Sequence, residues 1–296
     1  MEGLVAWLDE QLAAVGTART GGVTRPRVRP WGTVLTAPTT AGPVWLKIPG
    51  SQTRYEVPLY RVLARVVPDH VPRVIAADVE HGRLLLADGG VPLDGPDAMA
   101  AALPIYGRLQ RALAPHVDAL LAAGVPDMRP AVMPERFDEA LAAVARWLAH
   151  DDDRAVLRRV AAMRPAFAGW CDRLAASPVP ASLDHNDLHA RNVLATGDGA
   201  LRFHDWGDSV VAHPFTSLLA CPAEPAARDA YLRVFADLAP HADLVAELDV
   251  ACRVARAARA LTWTRALGPA DQAVEPRFVR APLEILAGLL VDRGKT

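Results

Sequence analysis

The stretch Leu183-Asp184-His185-Asn186-Asp187-Leu188-His189-Ala190-Arg191-Asn192-Val193-Leu194 is followed, thirteen residues after Asn192, by Asp205-Trp206-Gly207. No other part of the chain is as dense in polar side chains. Asp187, Asn192 and Asp205 put three oxygen-type groups on two adjacent loops. A hard divalent cation such as Mg²⁺ takes ligands of this kind and leaves its remaining positions to phosphate and water. Asp187 is then a spare carboxylate that could orient or deprotonate a hydroxyl.

Working outward, two scarcities stand out. The chain has 30 arginines but only two lysines, Lys47 and Lys295, and its only asparagines are Asn186 and Asn192. The arginine and alanine excess looks like a GC-rich codon bias, which erodes Lys and Asn wherever a substitute is tolerated. Lys47 stands alone on the apolar stretch Val44-Trp45-Leu46-Lys47-Ile48. It supplies a compact positive charge for phosphate oxygens. Glu56 falls at the start of the next helical stretch, where it would fix the ammonium.

Around these residues the chain changes character twice. Residues 4–15 have apolar positions at helical spacing and stop at Gly16. Residues 21–48 read as two or three short antiparallel strands, with a turn at Pro38–Pro43. Residues 53–67 are helical, and Val74–Asp78 and Arg83–Leu86 read as two more strands. The second runs into Asp88-Gly89-Gly90, a turn or hinge. From Pro92 the periodicity is mostly helical, over about 97–123, 134–149, 152–176, 225–239, 241–267 and 277–292. The exception is 182–208, where Ser182–His185, Val193–Thr196 and Leu201–His204 are short and β-like. The layout predicts an α+β chain. Residues 1–88 would be a small antiparallel β-rich lobe that binds nucleotide, and residues 89–296 a larger, mainly helical lobe that holds both polar loops and the substrate-binding region. Ligand clefts often lie between such lobes.

His185-x-Asp187-x4-Asn192 followed by Asp205-Trp206-Gly207 resembles the catalytic and metal loops of the protein-kinase-like fold. The version His-Asn-Asp-Leu-His-x-x-Asn with Asp-Trp-Gly is similar to that of the aminoglycoside phosphotransferase and choline kinase family. The resemblance implies a bilobal fold and an ATP-dependent phosphotransferase with an alcohol group as acceptor. It implies Asp187 as catalytic base and Asn192 and Asp205 as Mg²⁺ ligands. Lys47 would hold the α- and β-phosphates with Glu56 as its partner, and His185 would buttress the loop. It also implies that the backbone near Leu86, Ala87 and Asp88 hydrogen-bonds adenine, with Leu194 beneath the base. Pro30-Trp31-Gly32-Thr33 lies where the phosphate-covering loop belongs but lacks a glycine-rich pattern. The stretch His213-Pro214-Phe215-Thr216-Ser217-Leu218 stands where antibiotic kinases carry Asp-Pro and Asp-Leu pairs, so no antibiotic branch is assigned.

Composition excludes other classes. The 296 residues are 51% hydrophobic and 22% charged, with a formal net charge of −2. Such a chain has material for a large core, and its charge balance gives no case for a nucleic-acid partner. No stretch approaches a membrane span, and the acidic N-terminal residues Glu2, Asp9 and Glu10 are unlike a secretory signal. Cys171, Cys221 and Cys252 form no metal or disulfide pattern and read as buried small hydrophobes in a reduced, cytoplasmic protein. The expected partners are ATP and a small hydroxylated substrate, which could be an antibiotic, sugar, nucleoside or amino alcohol.

Two rival functions use the same residues. A metal hydrolase could draw on His185, Asp187, His189, His204 and Asp205, although this leaves Lys47 and Asn192 without a role. A non-catalytic nucleotide-binding pseudokinase normally lacks the lysine, the base or a metal ligand, and all are present here. Among the remaining residues, Asp184 reads as a solvated loop acid, and Trp147, Trp170 and Trp263 as core. Trp206 reads as packing under the metal loop, and Asp208 as a loop anchor. His189 and Arg191 are open between phosphate contacts and structural roles. The acids Asp237, Asp243, Glu247, Asp249 and Asp271 alternate with Arg253, Arg256, Arg259 and Arg265, so no acceptor charge is read.

Overall fold

A computed structural model describes residues 2–29, 31–95, 98–221, 223–268 and 276–291, with Pro276 and Arg277 by backbone alone. Pro30, Asp271 and Lys295 lie outside the described residues. In chain order the strands are β1 (Thr24–Arg29), β2 (Gly32–Ala37), β3 (Val44–Pro49), β4 (Val74–Asp78), β5 (Arg83–Ala87), β6 (Val91–Pro92), β7 (Ser182–Asp184), β8 (Val193–Ala195), β9 (Leu201–Phe203) and β10 (Val210–Ala212). The helices are α1 (Glu2–Ala14), α2 (Glu56–Val66), α3 (Ala98–Leu113), α4 (Val117–Ala122), α5 (Met133–Ala145), α6 (Asp151–Ala161), α7 (Arg164–Ala175), α8 (Pro225–Leu232), α9 (His241–Leu267) and α10 (Pro276–Ala287). The architecture is α+β, an antiparallel sheet followed by a mainly helical region. No helix among the described residues is long and apolar enough to cross a membrane.

The chain forms two compact units. The first comprises residues 1–98, 118–125 and 189–207, and the second residues 99–117, 126–188 and 208–296.

The first unit is built on a five-stranded sheet of order β1-β2-β3-β5-β4, antiparallel throughout. Leu35, Ala37, Val44, Leu46 and Leu85 bury one face of it against Leu8 and Leu12 of α1. Gly16 closes α1 at φ 69°, the left-handed conformation that glycine adopts without strain. β3 lies in the middle of the sheet, and Lys47 pairs across to Val34 on β2 and Leu84 on β5. α2 packs against β4 and buries Val57, Leu59, Tyr60, Val62 and Leu63. A second, small sheet pairs β6 with β8 and β8 with β9. Gly89 and Gly90 approach β8 closely. A Cβ at Gly90, whose φ is 115°, would meet the Ala195 carbonyl, and one at Gly89 would meet the Leu194 side chain. That contact is why a glycine pair follows β5.

The second unit is organised around α9, twenty-seven residues long and buried on most of its circumference. α5, α7 and α10 pack on it. Phe137 stacks on Phe167 with centroids 4.4 Å apart, and Phe215, Tyr231 and Phe235 form an edge-to-face cluster. β7 pairs antiparallel with β10.

Several expectations need correction. The helix expected over 152–176 is two, α6 and α7, because Pro165 at the start of α7 restarts the chain as a new helix. The helix expected over 97–123 is likewise divided into α3 and α4 by a 3₁₀ turn at Ala114–His116, which contains Pro115. Trp147, Trp170 and Trp263 are half-buried and not core. Two of them have a charged or aromatic flank: Arg253 covers Trp170 at 5.3 Å, and Phe278 stacks on Trp263 at 5.8 Å. Cys171 and Cys221 are buried as expected, but Cys252 is only partly so. β6 and β10 were not anticipated.

Candidate active site

In the first unit, the hairpin β8–β9 explains why two distant sequence motifs meet. Val193 pairs with Phe203, so Asn192 just before β8 and Asp205 just after β9 emerge at the same end. The His204 amide donates to the Asn192 carbonyl at 3.0 Å and locks that end. A 3₁₀ turn over Ala190–Asn192 delivers Asn192, whose side chain is buried. Asp205 has φ 64°, a left-handed conformation that aspartate tolerates better than most residues. Trp206 is fully buried, and its indole N–H donates to the Phe203 carbonyl.

The same unit brings Lys47 and Glu56 to this hairpin end. Lys47 Nζ lies 2.7 Å from Glu56 Oε1 and 2.5 Å from Asp205 Oδ1. Glu56 is completely buried at the start of α2. Burial pushes its carboxyl above the usual range, while Lys47 opposes the shift. Burial alone would lower the Lys47 ammonium, but Asp205 and Glu56 together raise it above its ordinary value, so it carries a full charge. Tyr55, beside Glu56, donates to the Gly207 carbonyl at 2.5 Å. Arg27 of β1 approaches Asp205 from another side, with Nη1 3.5 Å from Oδ2. Nothing in the sequence pattern pointed to Arg27, because an exposed arginine on a strand carries no distinguishing signal.

The segment after β5 qualifies one expectation. The N–H groups of Ala87 and Asp88 are committed to the Arg73 and Pro43 carbonyls, at 2.9 and 3.2 Å. A purine needs both a donor and an acceptor, so of the three residues Leu86, Ala87 and Asp88 the last two offer acceptors alone. Leu86 is buried and pairs across to Trp45, and Leu194 is buried against the glycine pair. Trp31 turns the chain between β1 and β2, and its carbonyl accepts from the Gly50 amide and the Thr53 hydroxyl.

In the second unit, Asp187 follows directly on a rigidly held segment. Asn186 has φ 57°, and its side-chain amide donates to the Asp208 carbonyl at 3.1 Å and to the Thr262 hydroxyl at 2.9 Å. Arg259, on α9, donates to the Asn186 carbonyl and, at 3.0 Å, to Asp187 Oδ1. The Asp187 side chain is 32% exposed. His185 is buried, and its amide donates to the Tyr106 hydroxyl. Sequence reasoning missed Arg259 and Thr262, which lie three residues apart on one helix face, because they are separated from Asp187 by more than seventy residues.

Asp184 is the clearest correction. It is not a solvated acid but is 1% exposed at the end of β7. Its carboxylate accepts from the Asn186 amide at 2.7 Å, the Thr216 hydroxyl at 2.7 Å and the Ser217 hydroxyl at 2.5 Å. Burial raises its carboxyl, and the two hydroxyls oppose the shift. Thr216 and Ser217 belong to the stretch that departs from the antibiotic-kinase pattern, and here they supply donors to a buried acid. Gln110 completes the arrangement by donating to the Leu183 and Pro214 carbonyls.

Arg191 is exposed, and its carbonyl pairs with His204 Nε2. The Asp208 carbonyl anchors Asn186. Among the described residues no cluster of three or more His, Cys, Asp and Glu side chains is arranged to hold a metal ion. The metal-hydrolase alternative needs such a cluster.

No family model matches this sequence, and no curated protein resembles it significantly. Solved structures do. The macrolide 2'-phosphotransferase MphH from Brachybacterium faecium superimposes with a TM-score of 0.63 at 19% identity, over 95% of this chain and 97% of that one. An ethanolamine kinase from Plasmodium vivax gives 0.66 at 10% identity, over 92% and 82%. Choline kinase LicA from Streptococcus pneumoniae gives 0.60 at 15% identity, over 97% and 99%. The chain therefore has the kinase-like fold of these proteins along almost its whole length.

Proposed function

We propose that this chain is a small-molecule kinase that transfers the γ-phosphoryl group of ATP to a hydroxyl of a small metabolite or antibiotic. The observation that carries the proposal is the Lys47–Glu56–Asp205 cluster at the hairpin end that also presents Asn192. The fold it sits in is shared by proteins described as phosphotransferases and kinases.

The residues suit a magnesium-bound nucleotide. Asn192 and Asp205 offer hard oxygen donors, and their small number fits Mg²⁺, which is bound through one or two protein groups together with phosphates and waters. Bound there, Mg²⁺ would neutralise charge on the phosphates. Lys47, kept charged by two carboxylates, holds phosphate oxygens, and Glu56 fixes the lysine's position. Asp187 accepts the proton of the acceptor hydroxyl as its oxygen bonds to the γ-phosphorus. The bond from that phosphorus to the β-phosphate oxygen breaks, and ADP leaves. Little covalent chemistry is asked of the protein, so positioning and charge dominate the rate. A general base contributes typically about 10²–10⁴-fold. Arg259 orients the Asp187 carboxylate from α9.

The test is Mg·ATP-dependent transfer to a pooled panel of macrolides, aminoglycosides, sugars, nucleosides and amino alcohols, with products identified by mass. Mg·GTP is run in parallel, because aminoglycoside 2'-phosphotransferase-IIIa is described as a GDP complex. A phosphorylated product that disappears in Asp187→Asn, with nucleotide binding retained, supports the proposal. Absence of both product and nucleotide binding sinks it.

A further inference from the structure

We infer that Arg27 is a mobile phosphate-binding residue: it pairs with Asp205 and moves to the phosphates when the magnesium nucleotide binds. The inference rests on the kinase reading above and adds a residue to its nucleotide site.

Arg27 is dispensable for the core. β1 is the edge strand of the sheet, and all six of its residues are exposed. The Arg27 side chain is 57% exposed, yet its guanidinium reaches the one oxygen of Asp205 that Lys47 does not grip. The Asp205 carboxylate thus has a cation on each oxygen. Lys47 and Arg27 together balance Glu56 and Asp205, so the four side chains are neutral as a group. A divalent cation held by Asp205 would compete with Arg27 for the carboxylate and repel it. The anions that arrive with such a cation are the phosphates, and a long side chain on an edge strand can follow them.

The segment that follows β1 makes this useful. Pro30-Trp31-Gly32-Thr33 lacks a glycine-rich pattern, and its proline brings no N–H. Fewer backbone amides are therefore offered to phosphate there than a glycine-rich loop offers. A guanidinium, with its fork of donors, replaces them. Lys47 cannot make the same move, because Glu56 holds it from the buried side.

Two affinities should move in opposite directions in Arg27→Ala. Mn²⁺ binding without nucleotide, read by water-proton relaxation, should tighten about two- to fivefold, the scale of an exposed ion pair. Calorimetric binding of a non-hydrolysable Mg·ATP or Mg·GTP analogue should weaken about tenfold, the scale of a hydrogen bond to a charged group. Arg65→Ala removes the same charge from the exposed end of α2 and should leave both unchanged. Affinities that shift in the same direction, or an analogue affinity within twofold of wild type, overturn the role of Arg27 alone. A wild-type protein that binds neither analogue overturns the kinase reading and this inference together.

Discussion

Replacing Lys47 with methionine isolates the energetics of the buried cluster. Glu56 is 0% exposed and Lys47 18%, with 2.7 Å between them. Removing one partner of a buried ion pair costs about 3–5 kcal/mol, because the other charge stays desolvated. The lower end applies here, since the Trp206 amide still stabilises the Glu56 carboxylate. About 3 kcal/mol corresponds to a midpoint lowered by roughly 10 °C for a unit of this size. The double variant Lys47→Met/Glu56→Leu removes both charges and should recover most of that stability, while nucleotide binding stays lost. The loss in the single variant also has a pH signature. Burial already holds the Glu56 carboxyl above its ordinary value, and without Lys47 it rises further. A raised carboxyl takes up a proton on folding, so stability falls as pH rises through the window above the unfolded value. The single variant should therefore approach wild type on acidification from neutral pH. Thermal and denaturant melts of the three proteins across that range, with calorimetric nucleotide titrations, are the assay. A single variant within about 1 kcal/mol of wild type, or a double variant no more stable than the single, refutes the reasoning.

Three further outcomes are expected. Arg259→Ala should lower kcat about ten- to a hundredfold, the scale of a charge-assisted hydrogen bond, with nucleotide affinity unchanged; Arg259→Lys should recover only part, since an ammonium does not bridge the Asn186 carbonyl and Asp187 as a guanidinium does. Equal losses of kcat and nucleotide affinity would show instead that the fold around Asp187 had failed. Asp184→Ala strands donors from Asn186, Thr216 and Ser217 and should cost about 3 kcal/mol in a urea melt; a cost below about 1 kcal/mol contradicts the buried network. Burial works against the Glu247 carboxylate, but hydrogen bonds from His213 and Ser177 hold it below its usual value. Glu247→Gln should cost about 0.5–1 kcal/mol at neutral pH, and the difference from wild type should vanish as pH falls through that lowered value. A difference that persists in acid would point to packing alone.

Much of the first unit was legible because its signals are local. Lys47 on β3 and Glu56 at the start of α2 lie nine residues apart, and the contrast between an apolar strand and a lone lysine marks them. The hairpin was equally readable from the turn residues between Val193 and Phe203. Asp184 was misread because its burial depends on hydroxyls more than thirty residues away, and an acid next to a polar loop carries no trace of them. β10 was missed because three apolar residues buried on both faces show no alternation. Arg27 and Arg259 look like any of the other arginines in a chain with thirty. Their partners are fixed by strand order and by the packing of α9, neither of which has a local signature.

The left-handed backbone at residue 186 has one more consequence. Glycine adopts that conformation with less strain than asparagine, and its codons are rich in G and C while those of asparagine are rich in A. A genome drifting toward G and C therefore offers an ready replacement at this site. Position 186 nevertheless carries asparagine, in a protein with only one other. The backbone geometry does not account for that, but the two hydrogen bonds to Asp208 and Thr262 do. Asn186→Gly therefore isolates those two bonds, because it keeps the left-handed backbone and removes only the side-chain donors.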